Sequence, residues 1–206
     1  GVEGGNGVWN ATNTNWTNQA GTVNDAWGGQ FAIFGSAAGT VTVEGSQAFT
    51  GMQFRTSGYE IEAGAGGELV ASLAQTSIRT GNGITATISA PITGTGGIVK
   101  QEGGTLVLAG ANTYTGATLV SGGILRAGAA NAFASGSAHT VAAGAVLDLD
   151  GFDQTIGSLA GAGGVWIDTN AILTAGGNNT NTTFSGVMEG AGEFVNTGSG
   201  ILVLTG

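Results

Sequence analysis

Along the chain, apolar and polar residues alternate with a period of two over short runs, and the runs break at Gly, Asn and Ser. Residues 39–43 (GTVTV), 104–109 (GTLVLA), 144–149 (GAVLDL) and 200–204 (GILVL) are examples. In 146–150 the leucines Leu147 and Leu149 fall on one side and Asp148 and Asp150 on the other; Tyr59 and Ile61 alternate with Glu60 and Glu62 in the same way. A period of two is strand geometry. No window of twelve or more residues shows a capped i, i+3, i+4, i+7 pattern, so helix is expected to be nearly absent and the fold all-β.

Residues 88–110 align without a gap on 184–206 at an offset of 96. Gly94/Gly190, Gly96/Gly192, Val99/Val195, Gly104/Gly200, Leu106/Leu202, Val107/Val203, Leu108/Leu204 and Gly110/Gly206 coincide. Internal similarity of this kind favours a stack of units, each burying its apolar face against the next, over a sandwich or a closed barrel. Gly-Gly, Asn-Gly, Gly-Asn and Asn-Asn pairs between runs supply corners that accept positive φ. At about 20 to 25 residues per coil, roughly eight to ten coils would form a rod of roughly 45 Å, organised as one elongated unit over 1–206.

Composition sharpens the picture. Of 206 residues 42 are Gly, 1 is Pro and none is Cys; 8% are charged and the formal net charge is −9. There is no G-X-Y period, which removes collagen, and an apolar content of 41% is enough for a core. Four basic residues, Arg55, Arg79, Lys100 and Arg126, form no basic patch in the sequence, so nucleic acid and anionic membranes are not expected partners. No apolar stretch approaches the roughly 18 residues of a membrane-spanning helix, and the N-terminus lacks the basic and apolar regions of a signal peptide. The chain is therefore expected to begin after any such peptide.

Residues 94–116 (GTGGIVKQEGGTLVLAGANTYTG), followed by 117–125 (ATLVSGGIL), closely resemble the passenger-associated transport repeat of bacterial autotransporters. That repeat runs from a Gly-rich lead-in through a lysine, a GTLTL-like strand and an Asn-Thr-Tyr-Thr-Gly element to a Thr-Val strand and a Gly-Gly corner. Asn112, Thr113, Tyr114, Thr115 and Gly116 are its most recognisable part. Residues 130–133, 144–159 and 8–61 are similar to regions that flank such repeats. The resemblance implies a right-handed parallel β-helix of three sheets. It also implies type V secretion, in which a C-terminal β-barrel translocator, not present in this chain, carries the passenger through the outer membrane to the cell surface or medium. Repeat units are placed near 88–125 and 184–206. The second stops before its Asn-Thr-Tyr element, which suggests a fragment of a longer chain and a coil edge open to self-association.

Candidate chemistry is sparse. The only histidine, His139, has no Cys or second His with which to build a zinc site or a triad, and is expected in a loop or on the surface. The Gly-Asp-Ser signature of serine-protease passengers and the G-x-S-x-G elbow are absent. Asp148, Asp150 and Asp153 are the candidates for a Ca²⁺ site or for polysaccharide-cleaving carboxylates, although an outward, solvated face explains them, as it does Glu60 and Glu62. Gly94-x-Gly96 and Gly161-x-Gly163 lack the following helix that a dinucleotide loop needs. Trp9, Trp16 and Trp27 either cover one end of the stack, pack under a loop, or stack on sugars. Residues 178–181 (NNTN) read as a corner with stacked amides; the sequons at Asn10 and Asn15 carry no weight in a bacterial protein.

These readings lead to a surface stalk or adhesin in host attachment or cell-cell aggregation, not an enzyme, with no catalytic, metal or cofactor-binding residues assigned and no cofactor. A host cell surface, matrix protein or glycan is the expected partner. The alternatives are a carbohydrate-active β-helix and a segment whose main role is to drive passenger folding and secretion.

Overall fold

A computed structural model describes residues 4–17, 22 and 24–206. Among these, all regular elements are strands and none is a helix. Nine parallel strands form the first sheet: Gly7–Trp9, Thr40–Val43, Tyr59–Ala63, Thr85–Ile88, Thr105–Leu108, Ile124–Ala127, Val146–Asp148, Gly164–Trp166 and Val187–Glu189. Nine more form the second: Phe31–Phe34, Gly51–Phe54, Thr76–Thr80, Ile98–Gln101, Thr118–Val120, Ala138–Val141, Ser158–Gly161, Thr182–Phe184 and Leu202–Leu204. The chain passes from the first sheet across a third face to the second and then steps up one coil, producing a parallel β-solenoid. Nine rungs at about 4.8 Å separation give a stack roughly 38 Å tall.

The third face is not a continuous sheet. Ser46–Phe49, Glu68–Ala71 and Ile92–Thr93 make one patch, and Gln154–Thr155, Ile172–Ala175 and Glu193–Asn196 make another. The two coils between them cross this face without a strand, at residues 109–117 and 128–137. In the first coil the antiparallel pair Trp16–Thr17 and Asn24–Asp25 forms a separate two-stranded sheet between the first-sheet and second-sheet strands in sequence.

Register explains the core. Along the first sheet, Tyr59, Ala86, Leu106, Leu125, Leu147, Val165 and Met188 are successive partners. Leu106, Leu125, Leu147 and Val165 are fully buried, each contributing about 1.5–3 kcal/mol relative to exposure. The expected alternation in 59–62 holds: Tyr59 and Ile61 point inward, while Glu60 and Glu62 face outward and accept hydrogen bonds from Ser89 (3.0 Å) and Thr42 (2.8 Å). At the N-terminal end, Trp9 packs with Trp16 and Trp27 at centroid distances of 5.0 and 4.8 Å, and Phe34 stacks on Phe54 at 5.0 Å. The tryptophans thus cover that end of the core.

The offset of 96 does not correspond to a whole number of coils. Thr105–Leu108 lies in the first sheet, whereas its sequence counterpart Leu202–Leu204 lies in the second. Ile98–Gln101 lies in the second sheet, and its counterpart at 194–197 overlaps Glu193–Asn196 on the third face. What recurs is a strand-corner-strand sequence, displaced by one face on its second appearance. This is physically permissible because all three faces require the same inward-apolar alternation.

Candidate functional site

The residues that make the 94–125 segment recognisable do their work inside the stack. On the second sheet, Lys100 occupies an inward position between its partners Ile78 and Val120, in a column otherwise apolar there. The side chain is fully buried, and its ammonium donates to the carbonyls of Glu102 (2.8 Å), Gly122 (3.0 Å) and Gln101 (3.1 Å). Burial lowers its pKa to about 8, against which the nearby Glu102 carboxylate acts; it remains charged at neutral pH. Glu102 itself adopts φ 66°, so the lysine ties down a corner held in the left-handed region.

Asn112 replaces a missing strand. Its Oδ1 accepts the Ile92 amide at 2.7 Å and its Nδ2 donates to the Ala132 carbonyl at 2.6 Å, linking the coils below and above across the strandless part of the third face. Gln154, two coils higher, holds the second strandless coil from above. Its Oε1 accepts the Phe133 amide at 3.0 Å and its Nε2 donates to the Ala129 carbonyl at 2.7 Å. Behind them, the buried hydroxyls of Tyr114, Thr118 and Ser137 form a chain at 2.7 and 2.9 Å, and Ser137 donates to the Gly116 carbonyl at 2.7 Å. Burial raises the Tyr114 pKa and keeps it a neutral hydrogen-bonding group. Gly116 is required because a Cβ there would overlap the backbone of Gly96 and Gly97 in the coil below.

His139 is not at the surface, contrary to expectation. It lies in the strand Ala138–Val141, is fully buried, and stands in register with Thr118 and Leu159. Its Nδ1 is 3.0 Å from the Ser137 carbonyl, which assigns the proton there; Nε2 has no partner. Burial lowers its pKa to about 4, so the ring is a neutral core group beside Phe133. It is in phase with the inward Val141 of its own strand, so the alternation was present, but a polar residue type reads as outward.

The three aspartates do not converge. Asp148 faces away from the apolar core yet is only 3% exposed, because Arg126 covers it in an ion pair of 2.8 Å; it also accepts the Asp150 amide. Asp150 is exposed beyond the strand end at φ 48°, and Asp153 accepts the Ile172 amide at 2.8 Å. Surface depressions lie elsewhere, one lined by Asn6, Gly7, Val8, Thr40, Thr42 and Glu62, another by Asn181, Thr182, Thr183, Ile201 and Val203. Among the described residues, no cluster of three or more His, Asp and Glu side chains is arranged to hold a metal ion. The 178–181 corner uses its amides between coils instead of stacking them on one another: Asn178 donates to Ser158, Asn179 accepts the Ser199 amide, and Asn181 accepts the Ile201 amide. No helix among the described residues is long and apolar enough to cross a membrane.

Comparison with known proteins agrees with this geometry. A family model described as the passenger-associated transport repeat matches residues 98–127, from the buried-lysine strand through the next first-sheet strand. The adhesin BmaC autotransporter of Brucella suis biovar 1 (strain 1330) is 37% identical over 189 residues. The similarity covers 87% of this chain and 5% of that protein, so the chain spans about a twentieth of the relative's length. No solved structure matches. The repeat, the relative and the stacked parallel coils together support an autotransporter passenger domain.

Proposed function

We propose that residues 1–206 form one stretch of an adhesive passenger stalk, displayed at the bacterial surface or released from it, that contributes to attachment to host cells or matrix. The observation that carries this reading is the similarity to an adhesin over 87% of the chain. The division of labour in the fold supports it. Residues of the transport repeat are committed to holding the coils together, which leaves the outward positions of the two long sheets free to vary and to meet a partner. A C-terminal β-barrel in the same polypeptide would deliver the stalk through the outer membrane. Of the aspartates that prompted the carbohydrate-cleaving alternative, Asp148 is an ion-pair partner, Asp153 caps a backbone amide and Asp150 lies exposed apart from them, and nothing favours that alternative.

The test is binding of the purified chain to host cells and to matrix components, beside a β-solenoid of similar length from an unrelated passenger. Saturable binding above that control is expected. Binding no greater than the control would remove adhesion from these residues and leave them as scaffold.

A further inference from the structure

Folding creates a small cationic surface that is invisible in the sequence. Lys100 is buried and Arg126 is engaged by Asp148, so Arg55 and Arg79 are the two cations left to solvent in a chain of net charge −9. Both lie on the outer face of the second sheet. Ile33, Gln53, Arg79 and Gln101 are register partners across four coils, forming a row parallel to the stack axis. Arg55 follows Phe54, whose partner is Thr80; it is therefore a diagonal neighbour of Arg79 on the same face.

Each guanidinium is oriented through its Nε, which donates to Gln53 Oε1 (3.2 Å) in Arg55 and to Gln101 Oε1 (3.1 Å) in Arg79. Gln101 is in turn held by the Ser77 hydroxyl at 2.7 Å. Among the described residues, no hydrogen bond occupies the Nη groups of either arginine. Beside them Phe31 lies on the sheet over Gly51, where a Cβ would sit 2.7 Å from its ring, and remains 39% exposed; Ile33 is 49% exposed. The Arg79 guanidinium stands 5.9 Å from the Phe31 ring centroid. The Glu102 carboxylate borders the surface and accepts from Gln53 Nε2 at 3.3 Å.

We propose that this face, comprising Phe31, Ile33, Arg55 and Arg79 with Gln53 and Gln101, is a docking surface for a linear sulfated glycosaminoglycan. The inference rests on the adhesive reading above and names its ligand class. Guanidinium forks with free Nη groups match tetrahedral oxyanions, and an exposed aromatic ring next to them offers a platform for the apolar face of a sugar. An open, unwalled row running along the axis suits an extended polymer better than a terminal sugar. The overall negative charge repels a polyanion at a distance, so recognition depends on these short-range contacts.

Binding of the chain to immobilised heparin and to hyaluronan, which carries carboxylates without sulfates, tests the assignment. Saturable binding to heparin and weaker binding to hyaluronan are expected. The double variant R55A/R79A should weaken the heparin interaction about tenfold or more, and Phe31→Ala should weaken it several-fold, with unchanged unfolding midpoints. Absence of saturable heparin binding, indifference to R55A/R79A, or equal binding to hyaluronan would overturn it. So would a change confined to self-association, which would mark the face as a contact between copies. Cells treated with heparin lyase separate the two readings. Undiminished attachment to them overturns the glycan assignment and leaves adhesion standing; heparin binding without attachment to untreated cells does the reverse.

Discussion

Single residues carry unusual responsibility in this fold because side chains replace backbone partners between coils. Lys100 stabilises three carbonyls at one corner, and Lys100→Met would leave them without a donor. The expected loss is about 2 kcal/mol in urea unfolding, with faster amide exchange in residues 101–104 and 122–123 than elsewhere. His139 makes stability depend on pH. Its folded pKa of about 4 lies below the ordinary 6.5, so between those values the unfolded chain binds more protons than the folded one and stability falls as pH falls. The loss across that window is about 3 kcal/mol. Unfolding of the native chain and of His139→Leu at pH 7, 5 and 4 should show a shallower decline in the variant; parallel declines would remove His139 as the cause. The sequence pattern did not reveal either residue. Lys100 is in phase with the inward Ile98 of its own strand and His139 with the inward Val141 of its own, so in both cases the alternation was present but a polar residue type reads as outward.

Elements were more legible than their environments. The runs at 39–43, 104–109, 144–149 and 200–204 all contain strands, because alternation and glycine-marked corners are local properties. The face each strand occupies is a property of the stack, which is why Leu202–Leu204 lies on a different sheet from the strand it resembles. Likewise, Asp148 is on the outward side as alternation requires, but its burial depends on Arg126 one coil away. Corners also constrain sequence by proximity. Gly97 donates to Leu73 and Ala74 carbonyls at 3.1 and 3.2 Å, and a Cβ there would overlap the Ala117 carbonyl oxygen. Gly97→Ala should cost about 2 kcal/mol or more and lower the thermal midpoint by several degrees, since backbone on both sides blocks relief. A midpoint within a degree of the native chain would show that the coils are less closely apposed.

At the scale of the whole molecule, the nine-coil stack has two continuous walls and one that is interrupted across residues 109–117 and 128–137. Stability in such an array is a sum of coil and interface contributions, so protection from exchange should be greatest in the middle and least in Leu202–Leu204, which pairs on one side only. The solenoid class and the coil number were legible in the sequence, as was the resemblance to a transport repeat. The interruption was not, because Asn112 and Gln154 read as ordinary polar loop residues until their partners in other coils are known. These amides hold the coils of the transport-repeat segment together where the third face has no strand. Amide exchange at Ile92 in the native chain and in Asn112→Ala tests this most directly. The Ile92 amide should exchange only through large-scale opening in the native chain and through easy local opening in the variant, while Thr85–Ile88 on the first sheet stays protected. An Ile92 amide that exchanges rapidly in the native chain, or that is unaffected by the substitution, would contradict it.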